Sequence, residues 1–260
     1  MNDSIASSLP LAVHTCGEGP PLVLFHGGMG SWNHWTRNFD ALASRFTVHA
    51  VDLPGYGDSP RIAKSTPEDR YLDVVIEGLQ PIVGAQAFSL VGFSFGGVTA
   101  AMTAARLGAR VRKLSLIGVG GFGPIKKLEL RPIPPESAGA AARREVFRYN
   151  LGVLMLAQPS SVTEESIDFY DANFRRTRFD GREFSRSMSV HDTLSRIEAE
   201  VQIIYGEHDP LVRGAMQQRI DTVHAVRPDA RFDVVAGSGH WAQYEAAERV
   251  NRLLLEFLAA

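Results

Sequence analysis

The sequence predicts an α/β protein whose mostly parallel sheet is covered by helices on both faces. Short runs that are apolar throughout alternate along the chain with segments whose apolar residues recur at helical spacing. Strands that are apolar on both sides are typical of a parallel sheet buried between two helical layers. The strands predicted from these runs are 22–25, 46–51, 88–93, 111–119, 201–205 and 232–236.

Helices are predicted in the stretches between these strands. One begins near Thr66, a capping residue that is followed by Pro67 at the first helical position and Asp69 in the first turn. Two more are predicted over 98–107 and near 212–226. Two others are recognised by apolar side chains at helical spacing: Trp32, Trp35, Phe39 and Leu42 after the first strand, and Val250, Leu253, Leu254 and Phe257 near residue 260.

The alternation of strands and helices stops between residues 120 and 196. No strand is predicted there, and helical patterns cover 138–157 and 162–174, the second of them capped by Ser161 with Glu164. The strand pattern then resumes at 201. We therefore expect a core formed by residues 1–119 and 197–260, and a helical lid of residues 120–196 that is inserted between two strands of the same sheet.

Composition narrows the class of protein. A formal charge of −2 over 260 residues gives no reason to expect nucleic acid or an anionic membrane as a partner. Cys16 is the single cysteine, which excludes an intrachain disulfide and favours a reducing compartment. No apolar stretch approaches the roughly 20 residues of a membrane span. We expect a cytoplasmic protein that acts on a small molecule, and a homo-oligomer is left open.

The most informative motif surrounds Ser94. The pentapeptide 92–96 has the pattern G-x-S-x-G, and it lies between an apolar strand and a predicted helix. In a nucleophile elbow the strand-to-helix turn is so tight that side chains at the outer positions would collide, which is why Gly92 and Gly96 stand there. The turn holds a serine hydroxyl clear of the sheet edge. The motif predicts that Ser94 is a nucleophile.

A serine hydroxyl needs a base, and the base needs an acid group to orient it. His240 follows a predicted strand and a glycine-containing loop, and Asp209 follows the strand before that one. The chain order is therefore nucleophile, acid, base: Ser94, Asp209, His240. Glu207 is the rival for the acid. Of the other histidines, we interpret His26 as structural and His208 as a solvated loop residue.

The reaction also needs fixed N–H donors for the negative charge that develops on a carbonyl oxygen. One predicted donor is the backbone N–H of Phe95, which follows the nucleophile at a helix N-terminus. The second is the N–H of Gly28 in the glycine-rich loop after the first strand, with Met29 as the alternative.

The sequence argues against a nucleotide-binding or phosphate-binding site and against a metal site. Residues 118–123 match a dinucleotide fingerprint, but Pro124 follows in place of a helix, so no helix N-terminus is offered to a pyrophosphate. The loop 27–30 lacks the Lys-Ser/Thr ending of a phosphate-binding loop. Histidine and cysteine pairs at ligand spacing are also lacking. We expect no cofactor and no metal.

Segments 22–28, 52–59, 92–97, 206–209 and 239–245 together resemble the α/β-hydrolase superfamily over nearly the whole chain. The resemblance implies the α/β-hydrolase fold, with nucleophile, acid and base at Ser94, Asp209 and His240 and oxyanion donors at Gly28 and Phe95. Compared with that fold, we expect the first strand of this chain to be shortened or absent before Leu11. A serine at the elbow argues against haloalkane dehalogenase and epoxide hydrolase chemistry, which uses a carboxylate.

Segment 239–245 is similar to the meta-cleavage product hydrolases, which cut carbon–carbon bonds in aromatic degradation, and more broadly the chain resembles esterases and enol-lactonases. Trp241 matches the tryptophan that the meta-cleavage enzymes keep after the base. Two features depart from them. Phe93 stands where they place asparagine before the nucleophile, and their lid arginine has no clear counterpart among Arg175, Arg176 and Arg178.

We therefore expect a serine hydrolase that cleaves a carboxylic ester or lactone of a small apolar or aromatic substrate through an acyl-enzyme. The alternatives are hydrolysis of a carbon–carbon bond in a 2-hydroxy-6-oxo-dienoate and a small-molecule receptor that retains the triad with little turnover. The side chains expected to line the substrate pocket are Met29, His34, Phe93, Phe122, Phe147, Met155, Phe174 and Trp241.

Overall fold

The computed structural model describes residues 10–125 and 127–259. They form a seven-stranded sheet with the order β1-β3-β2-β4-β5-β6-β7, in which every neighbouring pair is parallel except β1 and β3. This confirms the predicted fold class. The strands are β1 (Val13–Cys16), β2 (Pro21–Phe25), β3 (Thr47–Val51), β4 (Phe88–Phe93), β5 (Val111–Ile117), β6 (Glu200–Gly206) and β7 (Arg231–Val235).

β1 is the strand that sequence reasoning missed. It runs antiparallel to β3, from Val13 opposite Val51 to Cys16 opposite Val48, and all four of its residues are exposed. An edge strand with no buried face gives no apolar run, and so the signal that identified the other strands is missing here. The expectation about a strand before Leu11 concerns residues 1–9, which lie outside the described residues.

The helices fill the connections as predicted, with several boundary differences. The first predicted helix is split into a 3₁₀ turn over Trp32–Trp35 and a short α-helix. The α-helices are α1 (Phe39–Ala43), α2 (Glu68–Val83), α3 (Phe95–Leu107), α4 (Ala140–Asn150), α5 (Glu164–Arg176), α6 (Arg182–Arg186), α7 (Ser189–Leu194), α8 (Met216–Val226), α9 (Ala242–Glu245) and α10 (Ala247–Ala259). A wider π-helical turn, Leu151–Met155, continues α4.

Two predicted caps are wrong. Pro67 has extended backbone angles and is itself the residue before α2, and the hydroxyl of Thr66 is buried without a hydrogen-bond partner among the described residues. At α5 the cap is Thr163, whose hydroxyl accepts a hydrogen bond from the Ser166 N–H at 3.2 Å. The capping pair of Ser161 and Glu164 therefore does not form, because the helix begins two positions after the predicted start at 162.

Residues 120–196, here called the inserted segment, connect β5 to β6 and contain α4, α5, α6 and α7. Their described residues contain no strand, which agrees with the sequence pattern. α6 and α7 pack against α3, and α4 packs against α5. The division into core and lid at residues 119/120 and 196/197 stays a prediction.

Side chains from alternate positions of the strands fill two apolar clusters, one on each face of the sheet. Val23 and Phe25 of β2 lie in the cluster beneath α2, α3 and α8, whereas Leu22 and Leu24 lie in the cluster that also takes residues from α1, α4, α5 and α10. Both clusters are needed because a parallel sheet is apolar on both sides. None of the described helices is long and apolar enough to cross a bilayer.

Candidate active site

Ser94 occupies the turn between β4 and α3. Its backbone lies in the left-handed half of conformational space, with φ 52° and ψ −116°, which for a residue other than glycine is a strained conformation. A Cβ atom on Gly92 would lie 2.4 Å from the carbonyl oxygen of Gly96, and one on Gly96 would lie 2.2 Å from the carbonyl oxygen of His26. The turn can therefore form only with glycine at both outer positions, as predicted.

The structure brings the three residues of the predicted triad into one hydrogen-bonded chain. His240 Nε2 lies 2.9 Å from Ser94 Oγ, and His240 Nδ1 lies 2.7 Å from Asp209 Oδ2. Because a carboxylate accepts hydrogen bonds, Nδ1 carries the proton that is donated to Asp209, and Nε2 is left to accept the serine proton. Asp209 is fully buried, and its other oxygen accepts a bond from the Leu211 N–H at 2.9 Å.

The rival acid lies beside this chain without joining it. Glu207 accepts a hydrogen bond from the Gly237 N–H at 2.9 Å, and its carboxylate is 3.8 Å from the exposed His208. It thus links the acid loop to the loop that carries His240. Contact with the His240 imidazole belongs to Asp209, the predicted acid.

His26 has the backbone contacts of a structural residue. Its Nδ1 donates to the Gly27 carbonyl at 2.7 Å, and its Nε2 accepts from the Leu53 N–H at 2.9 Å. Burial lowers the pKa of this imidazole, although Asp52 opposes the shift. His26 therefore joins the ends of β2 and β3 as a neutral ring.

The two predicted oxyanion donors lie side by side. A Cβ atom on Gly28 would be 3.7 Å from the Cβ of Phe95, so the loop after β2 passes directly over the start of α3. Among the hydrogen bonds of the described residues, none has the N–H of Gly28 or Phe95 as its donor. Both N–H groups are therefore without an acceptor among the described residues, and their role as oxyanion donors stays a prediction. Met29, the alternative, has a left-handed backbone with φ 51°.

His34 supports the same loop. Its Nδ1 accepts the Gly27 N–H at 3.2 Å, and its ring centroid lies 4.9 Å from that of Trp241 and 5.5 Å from that of Phe93. Burial lowers the pKa of His34 well below its ordinary value, and the neighbouring imidazoles of His26 and His240 lower it further. The ring is therefore neutral, with its proton on Nε2.

Asn173 was missed by sequence reasoning. It is buried on α5, where its Oδ1 accepts from the Ser31 hydroxyl at 2.8 Å and its Nδ2 donates to Asn33 Oδ1 at 2.9 Å. These bonds join the inserted segment to the loop after β2. An asparagine at helical spacing from Tyr170, on the apolar face of α5, was the signal that could have identified it.

The predicted pocket side chains mostly come together. The apolar cluster beside α1 and α10 contains or contacts Met29, Phe93, Phe147, Met155, Phe174 and Trp241. Phe122 does not join them, so its prediction as a pocket residue is wrong. Gly121 bonds to Ser185 and Val190, which directs the chain along α6 and α7, so Phe122 packs in the cluster on the other face with the Arg219 guanidinium 4.2 Å from its ring centroid.

The three candidate lid arginines are engaged elsewhere. Arg175 pairs with Asp171 and Glu136, and Arg176 pairs with Asp58 at 2.9 Å. Arg178 donates to the backbone carbonyls of Arg175 and Thr177. Each of these cations therefore has its partners in the polypeptide itself.

A family model described as "Alpha/beta hydrolase family" matches residues 22–253. The chain belongs to the α/β-hydrolase family. This α/β-hydrolase is 33% identical to a 2-hydroxy-6-oxononadienedioate/2-hydroxy-6-oxononatrienedioate hydrolase from Burkholderia vietnamiensis, in an alignment that covers 91% of this chain and 86% of that protein.

Two solved structures are similar to this α/β-hydrolase. A meta-cleavage product hydrolase from Pseudomonas fluorescens IP01 superimposes with a TM-score of 0.76 at 25% identity, over 96% of this chain and 94% of that one. Carboxylesterase CesB from Bacillus subtilis superimposes with a TM-score of 0.75 at 20% identity, over 95% and 86% of the two chains, and that likeness concerns the fold alone.

Proposed function

We propose that this α/β-hydrolase cleaves a carboxylic ester or lactone of a small apolar or aromatic substrate through an acyl-enzyme on Ser94. The observation that carries the proposal is the continuous chain from Ser94 Oγ through both nitrogens of His240 to Asp209, with links of 2.9 and 2.7 Å. These distances lie within the range that proton transfer to a general base requires.

The acylation step follows from this geometry. Ser94 Oγ attacks the substrate carbonyl while its proton passes to His240 Nε2, and the imidazolium is stabilised by the Asp209 carboxylate. The carbonyl oxygen becomes an oxyanion held by the N–H groups of Gly28 and Phe95. When the carbon–oxygen bond to the leaving group breaks, His240 returns the proton to the departing alkoxide, and Ser94 is left acylated.

Deacylation repeats the same steps with water. His240 takes a proton from the water that attacks the acyl carbon, and the Ser94–acyl bond breaks as His240 protonates Ser94 Oγ. The products are a carboxylic acid and the alcohol of the first step, which for a lactone are one molecule. We also propose that residues 120–196 act as the lid of this site, since α5 reaches the loop of Gly28 through Asn173.

The surroundings of Ser94 favour a substrate without a carboxylate. The candidate lid arginines are paired with carboxylates or carbonyl groups, and Phe93 is fully buried where the meta-cleavage enzymes have asparagine. A dienoate has a carboxylate, and burying a charge without a partner is unfavourable. Aromatic rings lie close to the base, and the ring centroid of Phe93 is 5.0 Å from that of His240. Such rings favour an aromatic or apolar group on the substrate.

Carbon–carbon hydrolysis of a 2-hydroxy-6-oxo-dienoate is the second candidate. It is favoured by the names of similar proteins and by Trp241, which lies next to the base and donates its Nε1 proton to the His34 carbonyl at 3.1 Å. The centroid of the neutral His34 ring lies 4.9 Å from that of Trp241, so an uncharged ring with its proton on Nε2 packs beside this tryptophan.

The experiment that separates these candidates compares turnover of p-nitrophenyl acetate with turnover of a 2-hydroxy-6-oxo-dienoate by the parent and by Ser94→Ala. We expect turnover of the acetate that Ser94→Ala abolishes, while Ser89→Ala, a change at the other end of β4, retains it. Turnover of the dienoate alone would reverse the order of the two candidates. Ligand binding that survives Ser94→Ala, without turnover in the parent, would favour a receptor.

A further inference from the structure

Glu245 is a carboxylate close to the base that the mechanism above does not use. It is the last residue of α9, the short helix that follows His240 and Trp241. Its two oxygens accept three backbone N–H groups: that of Gly239 at 2.6 Å, that of Gln158 at 2.7 Å and that of Ala157 at 3.1 Å. We call this arrangement the Glu245 clasp.

The three donors come from two distant parts of the chain. Gly239 directly precedes the base, whereas Ala157 and Gln158 belong to the inserted segment, just after the π-helical turn. A single carboxylate therefore holds the loop of His240 and the inserted segment together. Hydrogen bonds to an ionised acceptor are shorter and stronger than neutral ones, so this link is stronger than an ordinary backbone contact.

Other contacts join the same two segments on both sides of His240. The Trp241 N–H donates to the Met155 carbonyl at 2.8 Å, and the Gln158 side-chain amide donates to the Gly237 carbonyl at 2.9 Å. The approach is close, since a Cβ atom on Gly239 would lie 2.8 Å from the Ala157 nitrogen. The backbone around the base is thus fixed by residues of the inserted segment.

The loop of His240 needs such support because its own sequence gives it little rigidity. Gly237 and Gly239 both precede the base, and glycine has the largest conformational freedom of any residue. The imidazole ring is fixed at Nδ1 by Asp209 and must still present Nε2 to Ser94. Catalytic groups have to be held within about 0.5 Å of their productive geometry.

We propose that Glu245 is the positioning residue for the base. It holds Gly239 and the segment 155–158 as one unit, so that His240 meets Ser94 only when the inserted segment is seated on the loop. Glu245 does not touch the reacting atoms and acts through the backbone of Gly239. The inference rests on the proposed role of His240 and extends it to a residue that links the base to the lid.

The test compares Glu245→Ala, Glu245→Gln and the control Glu248→Gln, which changes an exposed carboxylate in the first turn of α10. The measured quantity is kcat for p-nitrophenyl acetate per active site, with the sites counted by fluorophosphonate titration that is carried to completion, because a displaced base also slows the labelling. We expect kcat to fall about 10²-fold in Glu245→Ala with KM within about twofold, because a base displaced by about 1 Å loses that much. Glu245→Gln keeps one acceptor oxygen and restores part of the rate, and Glu248→Gln matches the parent.

A role confined to stability predicts a different result. If Glu245 only stabilises the fold, its replacement lowers the number of titratable sites and leaves the kcat of each site unchanged. That result overturns the proposal. A loss of kcat in Glu248→Gln equal to that in Glu245→Ala overturns it as well. If Glu245→Ala does not fold, Glu245→Gln decides, and a kcat per site equal to that of the parent contradicts the inference. Parental turnover in Ser94→Ala would instead refute the proposed function.

Discussion

The sheet and the inserted segment differ in the interactions that stabilise each of them. The strands of the sheet bury large apolar side chains completely, as Leu24 and Ile204 do. The outer face of the inserted segment is instead joined by charged pairs, such as Arg144 with Asp168 at 2.6 Å and Arg148 with Glu164 at 2.6 Å. Exposed ion pairs contribute little to stability and are screened by salt, whereas apolar burial is not weakened by this screening.

This difference matches the roles that we propose for the two regions. Ser94, Asp209 and His240 all follow strands of the sheet, so their positions are set by the part of the molecule with the largest buried surface. The inserted segment contributes side chains such as Phe147 and Met155 to the apolar cluster beside Phe93 and Trp241. It adds polar contacts to the surrounding loops through the Glu245 clasp and the bonds of Asn173. In the proposed mechanism the sheet therefore positions the three members of the triad, and the inserted segment supports the loops around them.

The largest expected effect comes from Asp209. Asp209→Asn should lower kcat for p-nitrophenyl acetate by about 10⁴-fold, because an amide favours the wrong tautomer of the base. Glu207→Gln is the matched control from the same loop, and we expect its kcat to stay within about threefold of the parent, since the amide oxygen can still accept the Gly237 N–H. Equal losses in the two variants would remove the distinction between them.

The next effect concerns the stability of the sheet. Leu24→Ala removes a fully buried side chain from β2, and we expect the free energy of unfolding in urea to fall by about 2–5 kcal/mol. The residual cavity and the lost apolar burial both contribute. A loss below about 1 kcal/mol would contradict the tight apolar packing of Leu24 on this face of the sheet.

Much of this architecture could be predicted from the sequence, because apolar runs mark strands that are buried on both faces. The proposed triad could be located for the same reason, since Ser94 directly follows such a run and Asp209 and His240 lie in the loops that follow two others. Hydrogen bonds of backbone groups carry no such signal. The link between Glu245 and Ala157 joins residues 88 positions apart, and nothing in either side chain indicates the other.

Phe122 and Thr163 are two further cases in which the sequence alone could not predict the structure. Phe122 follows Gly121, whose backbone angles send the chain towards α7, and its apolar character alone could not tell which face it would join. Several hydroxyl residues precede α5, and only the helix start selects Thr163 as its cap. Local composition identifies an element, whereas its ends depend on tertiary contacts.

A smaller effect follows from His26 and His34, the neutral histidines that contact the glycine-rich loop 27–30. Burial lowers the pKa of His34 and of His26, so below pH about 6.5 the unfolded chain takes up protons that the folded chain does not. The free energy of unfolding should therefore fall as pH drops below about 6.5, by up to about 1.4 kcal/mol per pH unit for each histidine.

Urea unfolding at several pH values between 7.5 and 5 measures this slope. His34→Gln removes one of the two groups and can still accept the Gly27 N–H through its side-chain oxygen. We expect a shallower dependence of stability on pH in this variant. An identical slope in the parent and in His34→Gln would contradict the assignment of a lowered pKa to His34.

The smallest effect is expected on the charged face of the inserted segment. Arg144→Gln breaks the pairs with Glu164 and Asp168, and we expect the urea midpoint of unfolding to stay close to that of the parent because exposed pairs contribute little. Repeating the measurement in high salt should leave the difference unchanged or reduce it. A large loss of stability would contradict the difference between the sheet and the inserted segment, because the exposed ion pairs would then contribute as much as apolar burial does.

Labelling with a fluorophosphonate, followed by peptide mapping, tests most directly whether Ser94 is an activated nucleophile. The reagent modifies only a serine whose proton a neighbouring base accepts. We predict a single modified peptide that contains residue 94, with labelling lost in Ser94→Ala and slowed by orders of magnitude in His240→Ala. An unlabelled protein, or a label on another serine, would contradict the catalytic chain of Ser94, His240 and Asp209.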